Sequence, residues 1–536
     1  MNIATGPMKS KTSLLFIVAG ALTLASTPNY SFLPAVWIAP LLWLFLAREL
    51  RWKIFVPVFI LIQAIVSIIG NIGIFPFPLP MMIIFYLIIS VISAIPYLLD
   101  KLTDGKIPTL LHSLIFPSAM VVVQFVFAQG PSGTWGNIAY TQTSWILFMQ
   151  SVSLGGIWLI DFMIYWFAPM VLLIRRFGFK KINMALYIIP ILVLLGYGLY
   201  RLNISSNEEP GISIAGIVAN PLPIGEALLF SEYGETLTIA PDIAQSDPLI
   251  QRLNQAYINF LEDPYSPRYK SVRNTLRKNT DDLFLRAEKY KSMDLVTWSE
   301  GAFQLIKPDE EALIERASAL AKTMKTTLFL PLAVFHTGQV SPGVPFLENK
   351  IITISDEGQI LHSYYKNVPV KGLEPSIPGD GNIPQIEIGA QRISPAICYD
   401  ADFPGLIAQT GRKSTSILVL PSSDWKAIEK VHAHMALTRA IENDVTLFRP
   451  TANGYTIAVS GRGNVLFKES SFDGFEEVEL DDLPGGSSNT FFSMFPNMVP
   501  LIALTVMSLT LLISIPKVQR WLTEVWTTAN VSSTSN

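Results

Sequence analysis

Residues 393–404 read Ile393-Ser394-Pro395-Ala396-Ile397-Cys398-Tyr399-Asp400-Ala401-Asp402-Phe403-Pro404. An apolar, strand-like run ends at a cysteine, a polar turn follows, and a proline suited to the first turn of a helix closes the stretch. Strand, turn and helix in this order are the repeating unit of a layered α/β fold. Cys398 is the only cysteine in 536 residues, so it has no internal disulfide partner. A lone thiol is either an inert, small core residue or a nucleophile, and this stretch alone leaves both open.

The same alternation extends on both sides of Cys398. Ile212 to Val218 reads as a strand, Leu283 to Tyr290 as part of a helix, and Asp294 to Trp298 as a strand that ends at Ser299-Glu300-Gly301. A helix over Glu311 to Thr323 precedes an apolar strand over Thr327 to Phe335, and Lys350 to Ile354 with Gln359 to Tyr365 form a hairpin around Asp356-Glu357-Gly358. Beyond Cys398 come a helix after Pro404, a strand over Ser416 to Leu420, and a helix from Ile428 to Glu442. The strands Val445 to Arg449 and Tyr455 to Phe467 follow, the latter turning at Gly461-Arg462-Gly463. Mixed strands with helices on their faces predict a layered α/β sandwich.

The chain around this domain has a different composition. Half of all residues are hydrophobic and 15% are charged, against about 25% charged in soluble chains. The first 200 residues hold only four acidic groups, Glu49, Asp100, Asp104 and Asp161. Seven apolar segments lie there: Ser13 to Ala25, Phe32 to Ala47, Ile54 to Gly70, Met81 to Leu99, Leu110 to Phe127, Leu154 to Ile174 and Met184 to Tyr200. An eighth, Met498 to Ile515, follows the α/β region. Several fall short of the roughly 20 residues a span needs, so their ends must extend into the flanks. The expected organisation is a membrane domain of seven helices over 1–202, an α/β domain over 203–490, a last span over 491–516 and a tail over 517–536.

Basic residues give the orientation. Lys9 and Lys11, then Arg48, Arg51 and Lys53, then Lys101 and Lys106, then Arg175, Arg176, Lys180 and Lys181, and finally Lys517 and Arg520 fall in alternate loops, whereas Thr27 to Ser31, Asn71 to Pro80 and Gln129 to Ser144 carry no charge. The positive-inside rule puts the basic loops and both termini in the cytoplasm and the α/β domain outside. A cleaved signal peptide is the alternative reading of the first segment. Trp135, Tyr140 and Trp145 suit a headgroup-level aromatic belt or a lipid-handling role. Asp161 sits within the sixth segment, where a carboxyl must be protonated, hydrogen-bonded between helices or functional.

Glu300, Lys366 and Cys398 each follow directly on a strand-like run, and strand ends are where side chains converge at a crevice. A thiol that accepts an acyl group at neutral pH needs a base, a cation for the oxyanion and a water-poor pocket. Glu300 can be that base, Lys366 that cation, and the backbone N–H after Cys398 a second oxyanion donor. Singly, the three also read as a cap, a solvated hairpin end and a core residue. His432-Ala433-His434 places its rings on different helix faces, so no metal site is expected. A net charge of −3, with basic residues gathered in loops that topology explains, excludes nucleic acid as a partner.

Three contexts taken together carry a family resemblance. Val296-Thr297-Trp298-Ser299-Glu300, Tyr364-Tyr365-Lys366 with Glu374 eight residues on, and Ile397-Cys398-Tyr399-Asp400 with Phe403-Pro404 resemble the Glu, Lys and Cys motifs of the nitrilase (carbon–nitrogen hydrolase) superfamily. Seven spans before such a domain and one after it look like the bacterial apolipoprotein N-acyltransferases. The resemblance implies a multi-pass α-helical membrane domain plus a nitrilase-like α-β-β-α sandwich in the bacterial cytoplasmic (inner) membrane, with the catalytic domain on the extracytoplasmic side. It implies acyl transfer from a phospholipid, through a thioester on Cys398, to the α-amine of a diacylglyceryl-cysteine lipoprotein, by a monomer without cofactor. Glu300 would be the base and Lys366 the oxyanion cation. Glu374, Tyr399 and Asp400 would support the site, and Tyr269, Trp425 and Trp145 would contact substrate. A membrane-anchored amidase or hydrolase, and a non-catalytic lipid- or lipoprotein-binding homologue, are the alternatives. Three departures touch substrate access: Asp400 stands where the family usually has Glu, Ser422-Ser423-Asp424-Trp425-Lys426 lacks a Trp-Phe-Gly type loop, and the segment after Lys366 differs.

Overall fold

The structure is a computed structural model that describes residues 10–75, 78–178, 181–204, 210–240, 242–243, 247–338, 344–486, 489–518 and 520. The chain divides into two units: Met1–Ile72, Phe77–Tyr200 and Asn497–Asn536 form one, and Gly73–Pro76 with Arg201–Pro496 form the other.

Six of the eight apolar segments lie wholly in helices, while the second becomes helical at Ala35 and the eighth ends its helix at Ile513. Among the described residues, five helices are long and apolar enough to cross a membrane: Trp52–Gly70, Leu79–Thr103, Thr109–Ala128, Val152–Phe177 and Met184–Asn203. Ser10–Ala25, Ala35–Glu49 and Met498–Ile513 are shorter, at 16, 15 and 16 residues. Aromatic residues join the helices of the first unit: Phe16 packs on Trp43, Trp43 on Phe59, Phe59 on Tyr97, Tyr97 on Phe116 and Phe116 on Tyr165, with centroids 4.9 to 6.0 Å apart. Asp161 is fully buried and accepts a hydrogen bond from Asn137 Nδ2 at 2.5 Å. Asn137 also caps the short helix Ile138–Gln142, so this carboxyl anchors the loop before the sixth segment. Near the other end, Arg48 clamps buried Asp100 with two bonds of 2.7 Å.

The second unit is built on two sheets. The first runs Glu477–Leu483, Ile212–Ile217, Leu295–Trp298, Thr327–Phe335, Leu347–Ile354, Ile360–Tyr365, with Phe303–Ile306 also paired to Thr327–Phe335. The second runs Val465–Ser470, Tyr455–Val459, Thr446–Arg449, Ile417–Val419, Gln391–Pro395, Ile386–Ile388. Each has three parallel strands at its centre. Such strands are covered on both faces, which is why Val296, Leu328, Leu330, Leu418 and Leu447 are all buried. The sheets meet closely: a Cβ on Gly216 would lie 2.8 Å from the Phe448 ring, so no side chain fits there. Helices Lys270–Ala287 and Glu310–Met324 cover the first sheet through Leu283, Phe284, Ala287, Ala317, Ala321 and Met324. Helix Glu429–Asn443 covers the second, with Pro404–Arg412 packed beside it. This is an α-β-β-α sandwich. A 3₁₀ turn over Cys398–Asp402 separates the strand from the Pro404 helix, so that helix begins six residues past the thiol.

Candidate active site

Parallel strands end on one side of a sheet, and the site is built from such ends. Glu300 follows Leu295–Trp298, Lys366 follows Ile360–Tyr365, and Cys398 lies just past Gln391–Pro395. Cys398 takes φ +43°, the left-handed region that a residue with a Cβ adopts only under constraint. The constraint is visible: Cys398 N–H donates to Pro421 O at 3.0 Å, and Asp400 folds back to accept from Ile397 N–H at 3.0 Å.

Lys366 is 2% exposed, and its ammonium donates to Glu300 Oε1 at 2.8 Å and Glu374 Oε2 at 2.7 Å. Burial alone would lower its pKa, but the two carboxylates hold it well above the usual lysine value. Burial would raise Glu374, and Lys366 keeps it below its ordinary range. Asn349 spans the pair, donating to Glu300 Oε1 at 2.8 Å and Glu374 Oε1 at 2.6 Å. It sits between Glu348 and Lys350 on a strand, where alternation sends those two to the opposite face, into an ion cluster with Lys307 and Glu310.

Ser423 connects this carboxylate pair to the thiol. Its N–H donates to Glu300 Oε2 at 2.9 Å, and its carbonyl lies 3.7 Å from Cys398 Sγ. The thiol is 5% exposed, and burial, with Glu300 nearby, pushes its pKa well above the usual value while Lys366 opposes. Burial and Glu300 thus favour the neutral thiol, and the charges of Glu300 and Lys366 both act on it.

The supporting residues separate by role. Glu374 is part of the clamp. Asp400 accepts from Tyr364 Oη at 2.6 Å and Val368 N–H at 2.9 Å as well as from Ile397, tying the Lys366 segment to the Cys398 strand. Burial raises its pKa to about 6. Tyr399 packs edge-on against Phe403 at 5.4 Å. Trp425 follows Asp424 and donates from Nε1 to Gly73 O at 2.8 Å. Tyr269 lies in a separate apolar cluster with Ile224, Phe260 and Val272, its hydroxyl bonded to Glu232. Trp145 belongs to the helical unit, where it packs on Phe148 at 4.8 Å.

One group was not anticipated. Cys398, Asp424 and His432 are all buried, with one sulfur, one carboxylate oxygen and one ring nitrogen mutually within 4.8 Å. Cys398 and Asp424 stand 34 and 8 residues before His432 in the chain. No local spacing could reveal them.

The second unit thus brings a buried cysteine, a lysine and two carboxylates together at the strand ends of an α-β-β-α sandwich, in a chain with five helices, among the described residues, long and apolar enough to cross a membrane. A carbon-nitrogen hydrolase family model matches residues 247–474, the greater part of the α/β unit. A second model, for the apolipoprotein N-acyltransferase N-terminal domain, matches residues 19–170. The two models thus match the helical region and the α/β region in turn, and curated apolipoprotein N-acyltransferases are similar to this chain. The chain is 23% identical over 397 residues to the apolipoprotein N-acyltransferase of Geobacter metallireducens, covering 67% of this chain and 66% of that one. The protein of that name from Rickettsia typhi is 24% identical over 244 residues, 40% of this chain and 47% of its own. The matched segments thus span 66% and 47% of these two relatives' length. Among solved structures, an amidase from Nesterenkonia sp. is similar at 17% identity and a TM-score of 0.35, covering 52% of this chain and 92% of that one.

Proposed function

We propose that this membrane protein transfers an acyl chain from a phospholipid to the α-amine of a lipoprotein's amino-terminal diacylglyceryl-cysteine, through a thioester on Cys398. The observation that carries this reading is the pair of contacts made by Ser423, whose peptide joins Glu300 to the thiol while Lys366 is clamped beside them. Glu300 takes the thiol proton as sulfur attacks the ester carbonyl carbon. Lys366, with the Tyr399 backbone N–H, faces the oxyanion that forms. Collapse breaks the ester C–O bond, and the leaving glycerol oxygen takes the proton back from Glu300, releasing a lysophospholipid. The acceptor amine then attacks the thioester and gives a proton to Glu300. The C–S bond breaks, the amide leaves, and the thiolate recovers that proton.

Glu374 and Asn349 position Lys366 and Glu300, and Asp400 holds the two strand ends in register. Trp425 is our candidate aromatic contact for the substrate, ahead of Trp145 and Tyr269. The charge alternation supports an extracytoplasmic catalytic domain with both termini inside, and a site fixed to membrane helices suits substrates that cannot leave the bilayer. Mass spectrometry of lipoprotein amino termini in cells with and without this protein tests the reading. Triacylated ends that become diacylated on its loss are the expected result. Unchanged ends, with an amide-hydrolysing activity in the purified protein, would replace transfer by hydrolysis.

A further inference from the structure

His432 lies close to the thiol and is held by a set of residues distinct from the Glu300–Lys366 clamp. Its Nδ1 lies 2.6 Å from Asp424 Oδ1, and its Nε2 3.2 Å from Asp402 Oδ1. Asp402 comes from the turn that begins at Cys398, and Asp424 follows the strand Ser422–Ser423. Arg449, at the end of Thr446–Arg449, sets Nη2 at 2.9 and 3.0 Å from the two Asp424 oxygens and 3.0 Å from His432 Nδ1. On the histidine's own helix Glu429 turns away, pairing with Lys426 and Ser470. All four members of the group are buried.

Both ring nitrogens face carboxylates, and a ring nitrogen donates only when it carries a proton. A cation at His432 would set a second positive charge beside Arg449 against Asp402 and Asp424, close to Cys398. A metal ion is a poor alternative for these residues, because the Arg449 guanidinium already covers both oxygens of Asp424. The thiol itself carries an unfavourable balance from Asp424, partly offset by Arg449.

We propose that His432 is a positioning residue kept as an imidazolium by Asp402 and Asp424, and that its charge lowers the cost of forming the Cys398 thiolate when Glu300 takes the proton. Burial opposes the charged ring, but the two aspartates prevail and raise its pKa to about 9, above the usual 6.5. The inference rests on the reading of Cys398 as nucleophile.

Two measurements on the full-length protein test it. Because Cys398 is the only cysteine, alkylation by iodoacetamide reports this thiol alone. The expected result for His432→Gln, in protein that still melts cooperatively, is an apparent thiol pKa raised by about one unit or more, a tenfold smaller thiolate population at neutral pH, with alkylation at pH 7 slowed by about the same factor. An unchanged pH profile in the folded variant overturns the inference. For the native protein, ¹⁵N labelling of the imidazoles resolves five histidines. The ring whose signal shifts on alkylation of Cys398 is expected to remain an imidazolium at pH 7.5 and titrate near 9, and a neutral ring there overturns the inference even if the variant fails to fold. These outcomes are distinct from failure of the nucleophile assignment, in which Cys398→Ala would retain acyl transfer whatever the state of His432.

Discussion

Lys366 shows how a single residue fixes what chemistry is available. Its ammonium is buried between two carboxylates, so its loss leaves Glu300 and Glu374 sharing a site with no cation. Removing one oxyanion-stabilising group typically costs about 10²–10³-fold in rate. Lys366→Met should slow thioester formation by at least that factor, measured with a fluorescent phospholipid, and Lys366→Arg should fail to rescue, because a planar guanidinium cannot occupy the position of a compact ammonium. Glu300→Gln should leave the thiol without a base and block the first half-reaction, read as absence of released lysophospholipid. At this scale the sequence made Glu300, Lys366, Glu374 and Cys398 legible, since each stands at a strand end or in a short recognisable context. Asn349 was hidden by lying inside a buried strand between two charges that face the other way. His432, Asp402 and Arg449 were hidden because their meeting is a property of the fold rather than of spacing.

At the scale of elements, Asp400 joins the Cys398 strand to the segment after Lys366 through three hydrogen bonds. An amide offers one acceptor oxygen where the carboxylate offers two, so Asp400→Asn should strand at least one buried donor. The expected loss is about 1–3 kcal/mol, seen as a lower melting temperature together with slower acylation. The His432 group makes a pH prediction. Its folded pKa, about 9, lies above the unfolded value, so the stability it contributes is complete below about pH 6.5 and is lost as pH rises through 9. Native protein should lose on the order of 3 kcal/mol over that window, and His432→Gln should show little of this decline in chemical denaturation. The buried central strands were legible as apolar runs. Glu477–Leu483 was not, because four of its seven residues are acidic, and it pairs at the sheet edge with Ile212–Ile217. Glu477 is held there by Arg286 at 2.6 Å and Tyr290 at 2.7 Å, a pairing no local pattern announces. The helices Leu222–Tyr233 and Pro248–Glu262 were missed for a related reason: they pack on each other in a small separate cluster rather than along a sheet.

For the whole molecule, composition alone separated the apolar helical unit from the α/β unit, because burial in lipid and burial in a sandwich select different charge densities. The side of the membrane is carried by loop charge, and it is testable. In a Cys398→Ala background, Glu357→Cys places one thiol on the exposed turn Asp356-Glu357-Gly358. Our account predicts that an impermeant maleimide labels it from the outside of cells with a permeabilised outer envelope, and labelling only after the inner membrane is broken would reverse the topology. The proposed transfer requires that Cys398 carry the acyl chain. Purified full-length protein incubated with a phospholipid of defined acyl composition should gain one acyl mass on the peptide containing Cys398. That adduct should be labile to hydroxylamine, absent from Cys398→Ala, and discharged by a diacylglyceryl-cysteine peptide as its amine becomes acylated. Acylation of that amine by Cys398→Ala at the native rate, or an acyl adduct on any other residue, would contradict the account.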